Sequence, residues 1–312
     1  MLKLVMNETK KLNRQVGTWV MRVILVLFIL GAALIAHATS SLENESGEAW
    51  KTALIEQNKE NEKQLQDDKF PESLKPILQK EIELYNYRIE HNLPASPIWE
   101  FVTNTSVLIS LITVFSIIVA AGSVSKEFSW GTIKLLMIRP VSRSKMLLSK
   151  YLSTFQYSLE LMIILLVSSF LIGGLFFGFQ QLDTNFLIYD EGKIQEVNPV
   201  IYILQTYGLN CISLLVMTTL AFMISTLFRS SSIAIGVSIA LVFTGGTIVT
   251  IFSKFEWVKY ILFANTDLNQ YIHGTPLQEG MSLEFSLAVV AVYYLLFLLL
   301  TWIPFNKRDI AS

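Results

Sequence analysis

The chain has 312 residues, 52% of them hydrophobic and only 16% charged, where an ordinary soluble domain carries about a quarter charged residues. That balance excludes a water-soluble globular enzyme. The 24 basic and 25 acidic residues almost cancel, so net charge indicates no partner and no nucleic-acid ligand is expected. A single cysteine, Cys211, excludes an intramolecular disulfide and a cysteine cluster for zinc.

Six apolar stretches are long enough to cross roughly 30 Å of hydrocarbon as helices: Thr18–Ala36, Phe101–Val124, Phe155–Gly178, Val200–Leu227, Ile233–Phe252 and Leu287–Phe305. Their apolar residues run on instead of alternating, so they are not barrel strands. The expected class is an all-α integral membrane protein with six transmembrane helices. Before the first span, residues 1–17 mix apolar and basic side chains. They read either as an interfacial helix with Leu2, Val5, Met6 and Leu12 toward lipid and lysines toward headgroups, or as an ordinary positive flank. Arg22 lies one turn inside the span and can snorkel to the same surface. Ala36-His37-Ala38 resembles a signal cleavage site, but the run exceeds a signal's apolar region and five spans follow, so this helix is expected to remain.

Residues 37–100 hold the one large polar piece. Positions 41–100 carry thirteen acidic and seven basic residues with few glycines. Leu74, Ile77, Leu78, Ile82, Tyr85 and Ile89 recur at helical spacing, and a weaker face runs through Trp50, Ala53 and Leu54. Pro71 disfavours helix just before it, so a two-helix hairpin broken between Asp67 and Pro71 is expected outside the membrane. In the second span Asn104, and in the fourth Asn210, are candidates for hydrogen bonding between helices or for a transport path. Glu160 in the third span is a costly carboxylate; pairing with a basic neighbour is the favoured role, substrate contact the alternative. Gly174 and Gly178 have a spacing that permits close helix contact. Residues 179–199 form an acidic loop, and 228–232 a short link. Residues 253–286 are moderately polar and rich in aromatics, as in a segment lying at or dipping into the surface. Asn265 is a plausible helix N-cap.

Between the second and third spans, residues 125–154 carry Lys126, Lys134, Arg139, Arg143, Lys145 and Lys150. With Lys3, Lys10, Lys11 and Arg14 before the first span, Arg229 after the fourth, and Lys307 and Arg308 in the 306–312 tail, these put every basic cluster on one side. By the positive-inside rule both termini are cytoplasmic. Within the loop, Gly131 to Arg139 reads as a short helix with Ile133, Leu136 and Met137 on one face. Pro140 ends it and Ser142 can cap the next. A loop that only set topology would explain the charges but not this organisation.

No phosphate-binding loop, H-E-x-x-H or G-x-S-x-G motif is present. His37, His91 and His273 are far apart and give no metal-ligand spacing. Catalysis by this chain is not expected, and neither is a cofactor.

Glu127-x-x-x-Gly131-Thr132-x-Lys134-Leu135-Leu136, followed by Arg139-Pro140-Val141-Ser142-Arg143 and Lys150, resembles the cytoplasmic loop of bacterial type-2 ABC exporter permeases. Tyr260 to Leu268 with Tyr271 is similar to the re-entrant outer segment of the same permeases. The longer 41–100 insertion resembles the subgroup associated with bacitracin and peptide-antibiotic resistance. The resemblance implies that Gly131 to Pro140 is a coupling helix seated on a separate ATP-binding subunit. Gly131, Thr132, Lys134, Leu135, Leu136, Arg139, Pro140, Ser142 and Arg143 would form the contact, with Glu127 bracing the loop. It also implies a pair of ATPase subunits carrying ATP and Mg, a second permease (identical or similar), and a place in the bacterial cell membrane. The cargo would be hydrophobic or amphiphilic. The alternative is a signalling or immunity protein whose outer hairpin binds a peptide without transport.

Overall fold

The computed structural model describes residues 1–39, 49–67, 70–94, 96–129, 141–180, 182–190, 193–272, 276–278 and 280–307. The stretch expected to be the coupling helix, from Gly131 to Pro140, lies outside the described residues, as does His273. Helices dominate: α1 (Leu2–Asn13), α2 (Val16–Thr39), α3 (Ala49–Gln66), α4 (Lys75–His91), α5 (Pro97–Asn104), α6 (Ile109–Ser129), α7 (Arg143–Phe177), α8 (Pro199–Phe228), α9 (Ser231–Phe252) and α10 (Leu283–Lys307). Six are long and apolar enough to cross a bilayer, with α5 and α6 joined through a 3₁₀ turn at Thr105–Leu108 counting as one. The protein is therefore a multi-pass, all-α integral membrane protein, apart from one small hairpin. That hairpin, β1 (Phe186–Asp190) with antiparallel β2 (Lys193–Val197), falls where only a loop was expected, and pairs Phe186 with Val197 and Asp190 with Lys193.

The chain forms two compact units. The first comprises Met1–Val26, Val107–Leu165 and Thr206–Ser312. Its core packs Ile117, Ala120 and Val124 of α6 against Leu147 and Tyr151 of α7, Phe222 of α8 and Phe305 of α10. Small residues bring α6 and α8 together: the Ser225 hydroxyl donates to the Ala121 carbonyl at 2.6 Å and accepts from the Ser125 N–H at 3.3 Å. In lipid, close backbone approach and such hydrogen bonds hold helices together, because burying apolar side chains against apolar tails gains little. The turn from α8 to α9 needs only Arg229, in a left-handed conformation with φ of 54°, and Ser230, whose hydroxyl caps α9 by accepting from the Ile233 N–H.

Between α9 and α10 the chain is non-helical or 3₁₀, yet it lies deep. Phe263 packs on Gly245, where a side chain would strike its ring. Tyr293, ten residues into α10, donates to the Tyr260 carbonyl at 3.3 Å, which at 1.5 Å per residue is roughly 15 Å from the start of that helix. The Ser213 hydroxyl, in the middle of α8, donates to the Thr266 carbonyl. Irregular backbone at membrane depth is stable only where protein satisfies its polar groups. Asn265 supplies that satisfaction. Fully buried, it donates to the carbonyls of Lys259 at 2.7 Å and Ile261 at 2.8 Å and accepts from the Ser286 hydroxyl at 2.6 Å, which is also bonded to Tyr271. The N-cap expected of Asn265 belongs instead to Asp267, which accepts from the Asn269 N–H.

The second unit comprises Leu27–Ser106 and Leu166–Gln205. Here α3 and α4 pack as a pair. Leu54, Asn58 and Asn61 are buried on α3, Leu78 and Ile82 on α4. The Asn58 amide donates to Asn86 at 2.8 Å. Leu74 and Ile77, expected on the buried face, are exposed at 44% and 63%; Leu74 precedes α4, and Ile77 sits on the side of α4 next to the buried Leu78 stripe, not in it. Beyond α4, Asn92 adopts a left-handed conformation that ends the helix, and Arg88 pairs with Glu100 at 2.6 Å. The β-hairpin lies against α4: Tyr87 donates to Glu196 at 3.2 Å. Lost hydration and then that carboxylate raise the Tyr87 phenol above its ordinary pKa. The Gly174–Gly178 pair does not join helices. Gly178, with φ of 81°, terminates α7, and Gly174 receives the ring of Phe179 folding back. The close helix contact belongs to Gly173, where an added Cβ would lie 2.8 Å from Phe101 of α5.

Asn265→Ala leaves the deep Lys259 carbonyl without a donor, at about 1–3 kcal/mol, while the Ile261 carbonyl keeps the Ala264 N–H; it should lower the thermal midpoint in detergent by several degrees. Asn104→Ala, at an exposed position, should leave it unchanged; equal midpoints for the two variants would contradict the depth assigned to the segment.

Candidate functional site

Two helices frame residues 130–140: α6, ending at Ser129, and α7, starting at Arg143. Glu127, in the last turn of α6, has a side chain only 5% exposed; Lys150, two turns into α7, only 3%. They pair at 2.9 Å. Helix α1 completes the cluster from the side, with Lys11 on Glu127 and Glu8 on Lys150 at 3.0 Å. A carboxylate so buried persists only when paired, and here two ammonium groups flank it.

Helix α1 is fixed by more than charge. Thr9 donates to Gln156 at 2.9 Å, Leu12 is buried, and the Thr18 hydroxyl donates to the carbonyls of Leu12 at 2.6 Å and Gln15 at 2.8 Å, stitching α1 to α2. Its outward face does carry Leu2 and Met6, both exposed. Leu12 and Lys11, however, turn to protein instead of to lipid and headgroups. The spacing Glu8, Lys11, Leu12 places the three on one side of a helix, a signal obscured because a basic N-terminal segment already has a sufficient explanation in topology.

One turn farther along, Arg22 does not snorkel. It is buried and forms a two-point ion pair with Glu160, Nε to Oε1 at 3.0 Å and Nη2 to Oε2 at 3.1 Å, while Nη2 also donates to Asn13. Its guanidinium lies 5.3 Å from the centre of the Trp19 ring and 5.2 Å from that of Tyr157. Glu160 is thus a helix-pairing carboxylate. Neither asparagine considered for bridging does so. Asn104 is exposed, with no bond to another helix among the described residues, and the Asn210 amide donates back to Thr206 of its own helix at 2.9 Å.

Of the residues expected at the partner contact, Glu127, Ser142 and Arg143 are described. Ser142 caps α7, its hydroxyl accepting from the Lys145 N–H at 3.4 Å. Arg143 donates to the Asn306 carbonyl at 3.5 Å, and Ser144 and Asn306 bond side chain to side chain at 2.9 Å, tying the start of α7 to the end of α10. Gly131, Thr132, Lys134, Leu135, Leu136, Arg139 and Pro140 lie outside the described residues.

Behind the ion cluster is a partly open cavity of about 140 Å³ between α1, α2, α6 and α7. Its lining is charged at Glu8, Lys11, Lys126, Glu127 and Lys150 and apolar at Leu12, Met21, Ile118 and Val119, the last two about two turns back along α6 from Lys126 and Glu127. Electrostatically, the arrangement ties three helices together at the root of one loop.

Glu127→Leu strands Lys150 beside Glu8 alone and should destabilise the protein by about 3–5 kcal/mol. Adding Lys150→Met should recover part of this, with a coupling of roughly 1–3 kcal/mol in a double-mutant cycle of chemical denaturation. Lys11, nearly half exposed, should contribute no more than about 1 kcal/mol. Additive losses would exclude the cluster as a unit.

Comparison with known proteins finds two relatives and one family. It is 45% identical over 318 aligned residues to "Uncharacterized protein YhcI" of Bacillus subtilis (strain 168), covering all of both chains. It is 34% identical over 213 residues to "Uncharacterized membrane protein YdbK" of the same organism, covering 67% of this chain and 82% of the relative. Residues 81–311, from α4 through all of α10, match the model of the family described as "Protein of unknown function (DUF2705)". The stretch holding Glu127, Lys150, Glu160 and Asn265 lies within that match, and the chain belongs to the DUF2705 family.

Proposed function

We propose that this protein is the membrane-spanning subunit of an ATP-driven type-2 ABC exporter in the bacterial cell membrane, with both termini cytoplasmic. A separate pair of ATP-binding subunits, carrying ATP and Mg, would drive it together with a second permease, identical or similar. Its own chain does no catalysis. The cargo is a hydrophobic or amphiphilic molecule such as a peptide antibiotic.

The observation that carries this reading is the buried Glu127–Lys150 pair, held between Lys11 and Glu8 at the root of residues 130–140. Helices α6 and α7 are both anchored within a few turns of the loop, so force applied to it reaches two spans at once, and α1 through its own salt bridges. An element that transmits a change of state must contact both sides and move as a body. The ion cluster makes the two helices that flank the loop, together with α1, such a body. The deep Asn265 segment supports the same family reading, since it occupies the region that resembles the re-entrant outer segment of these permeases.

A second reading, peptide sensing or immunity without transport, draws on the apolar side chains that the α3–α4 pair leaves uncovered: Ile55, Leu74 and Ile77 are 41%, 44% and 63% exposed.

Gly131→Pro or Leu136→Asp should abolish co-purification of an ATPase subunit from mild detergent while membrane insertion is retained; an undiminished pull-down would rule out the coupling role. Deletion of residues 45–90 separates the two readings. Under sensing it removes resistance with ATPase assembly intact and no cargo flux in the parent protein, whereas under transport the parent moves cargo in a vesicle flux assay.

A further inference from the structure

The cavity behind α1 has a charge imbalance that the ion cluster does not use. Glu8, Lys11, Glu127 and Lys150 pair among themselves. Lys126, which also lines the cavity, has no ion pair or hydrogen bond among the described residues. Lys126 is exposed, so its ammonium stands at the open side of the cavity. Its stem folds back one turn over Gly122, so that a Cβ at that position would lie 2.9 Å from Lys126 Cε and 3.2 Å from Nζ. A glycine here leaves room for the lysine stem to reach the cavity. The charged lining of the cavity therefore carries three ammonium groups against two carboxylates, one net positive charge with donors to spare, since an ammonium has three N–H groups.

About two turns back along α6 the wall is apolar at Ile118 and Val119, and Leu12 and Met21 add to the apolar lining. A pocket with both cationic and greasy lining, beside an amphipathic helix whose Leu2 and Met6 face outward, matches an amphiphile with an anionic head. The volume of about 140 Å³ is far above the roughly 10–15 Å³ needed to admit one water.

We propose that this cavity binds the phosphate of an anionic phospholipid, with Lys126 and the free donors of Lys11 on the phosphate and the upper acyl chain along Ile118 and Val119. The shared chemistry is a phosphate anion; the apolar wall favours a lipid over free phosphate as its source. The proposal does not depend on the exporter reading. It requires only that this end of the bundle meets a bilayer surface, which the six spans impose. Lipid bound here would wedge between α1 and α6 and fix the position of the helix that supplies two of the four charges of the cluster.

The test uses the full chain in nanodiscs of phosphatidylcholine with or without phosphatidylglycerol, followed by extraction into mild detergent and native mass spectrometry. The wild type should retain phosphatidylglycerol, and Lys126→Gln should retain it about tenfold more weakly, the effect of one charge-assisted hydrogen bond. Lys126→Arg should restore retention. Lys3→Gln, which removes an exposed positive charge outside the cavity, should leave it unchanged. Gly122→Ala keeps every charge but blocks the path of the lysine stem, and should weaken retention in the same direction as Lys126→Gln. In phosphatidylcholine alone, stabilisation of the wild type but not Lys126→Gln by millimolar inorganic phosphate would keep the site and assign it to the free anion. Equal retention by wild type and Lys126→Gln, or equal losses in Lys126→Gln and Lys3→Gln, overturns the proposal, because the lipid would then be held by diffuse surface charge or elsewhere.

Discussion

A carboxylate sealed from water between two ammonium groups organises this end of the protein. Lys150, nearly as buried as Glu127 itself, and the half-exposed Lys11 both pair with that carboxylate, and each comes from a different helix. One buried charge thereby dictates the mutual placement of α1, α6 and α7. The arrangement is poor as a source of stability, since removing charges from water offsets most of what their attraction returns. It is well suited to specifying one geometry, because alternatives that separate the charges are strongly disfavoured. Arg22 and Glu160 repeat the device farther along the first and third spans, so helices that cannot be distinguished by apolar packing in lipid are sorted by polar pairs.

The spans themselves were legible in the sequence because their signal is additive over some twenty residues and tolerant of local detail. Charge-pair partners were less so. Glu160 invited a basic partner, and Arg22 was noticed, but nothing in one dimension joins positions 138 apart. Lys11 was misread for a physical reason: a lysine beside the membrane is equally at home at a headgroup or on a buried carboxylate, and only the second requires a partner elsewhere. The α3–α4 pair was recognised from leucines and isoleucines, whereas the buried stripe on α3 runs through Asn58 and Asn61, invisible to any hydrophobic count. Asn265 looked like a cap because asparagine often is one. Its role as the donor that lets irregular backbone lie deep follows from tertiary placement alone. The β1–β2 hairpin is hard to see in the sequence because its two five-residue strands are short and lie in an acidic stretch that reads as a loop.

The two units divide the labour of the sequence differently. In the first, small hydroxyl residues and paired charges at helix crossings do the specifying, as expected where lipid removes the hydrophobic incentive for helices to meet. In the second, aromatic rings and exposed carboxylates are prominent outside the spans and at their ends: His91 stacks on Tyr87 at 3.9 Å, and Phe186 on Tyr202, in the first turn of α8, at 5.1 Å. Water is a competitor there, and broad ring surfaces gain from its exclusion.

The two neighbouring glycines at the end of α7 are constrained by different partners, and this bears on how the family can drift. Position 173 is confined by Phe101 on another helix, position 174 by Phe179 only five residues later in the same chain. The second restriction is therefore removable by a local paired exchange: a methyl group at 174 becomes tolerable once 179 shrinks. Relief at 173 demands change in a distant helix. Among divergent family members, residues 174 and 179 should vary in concert, and 173 should stay fixed.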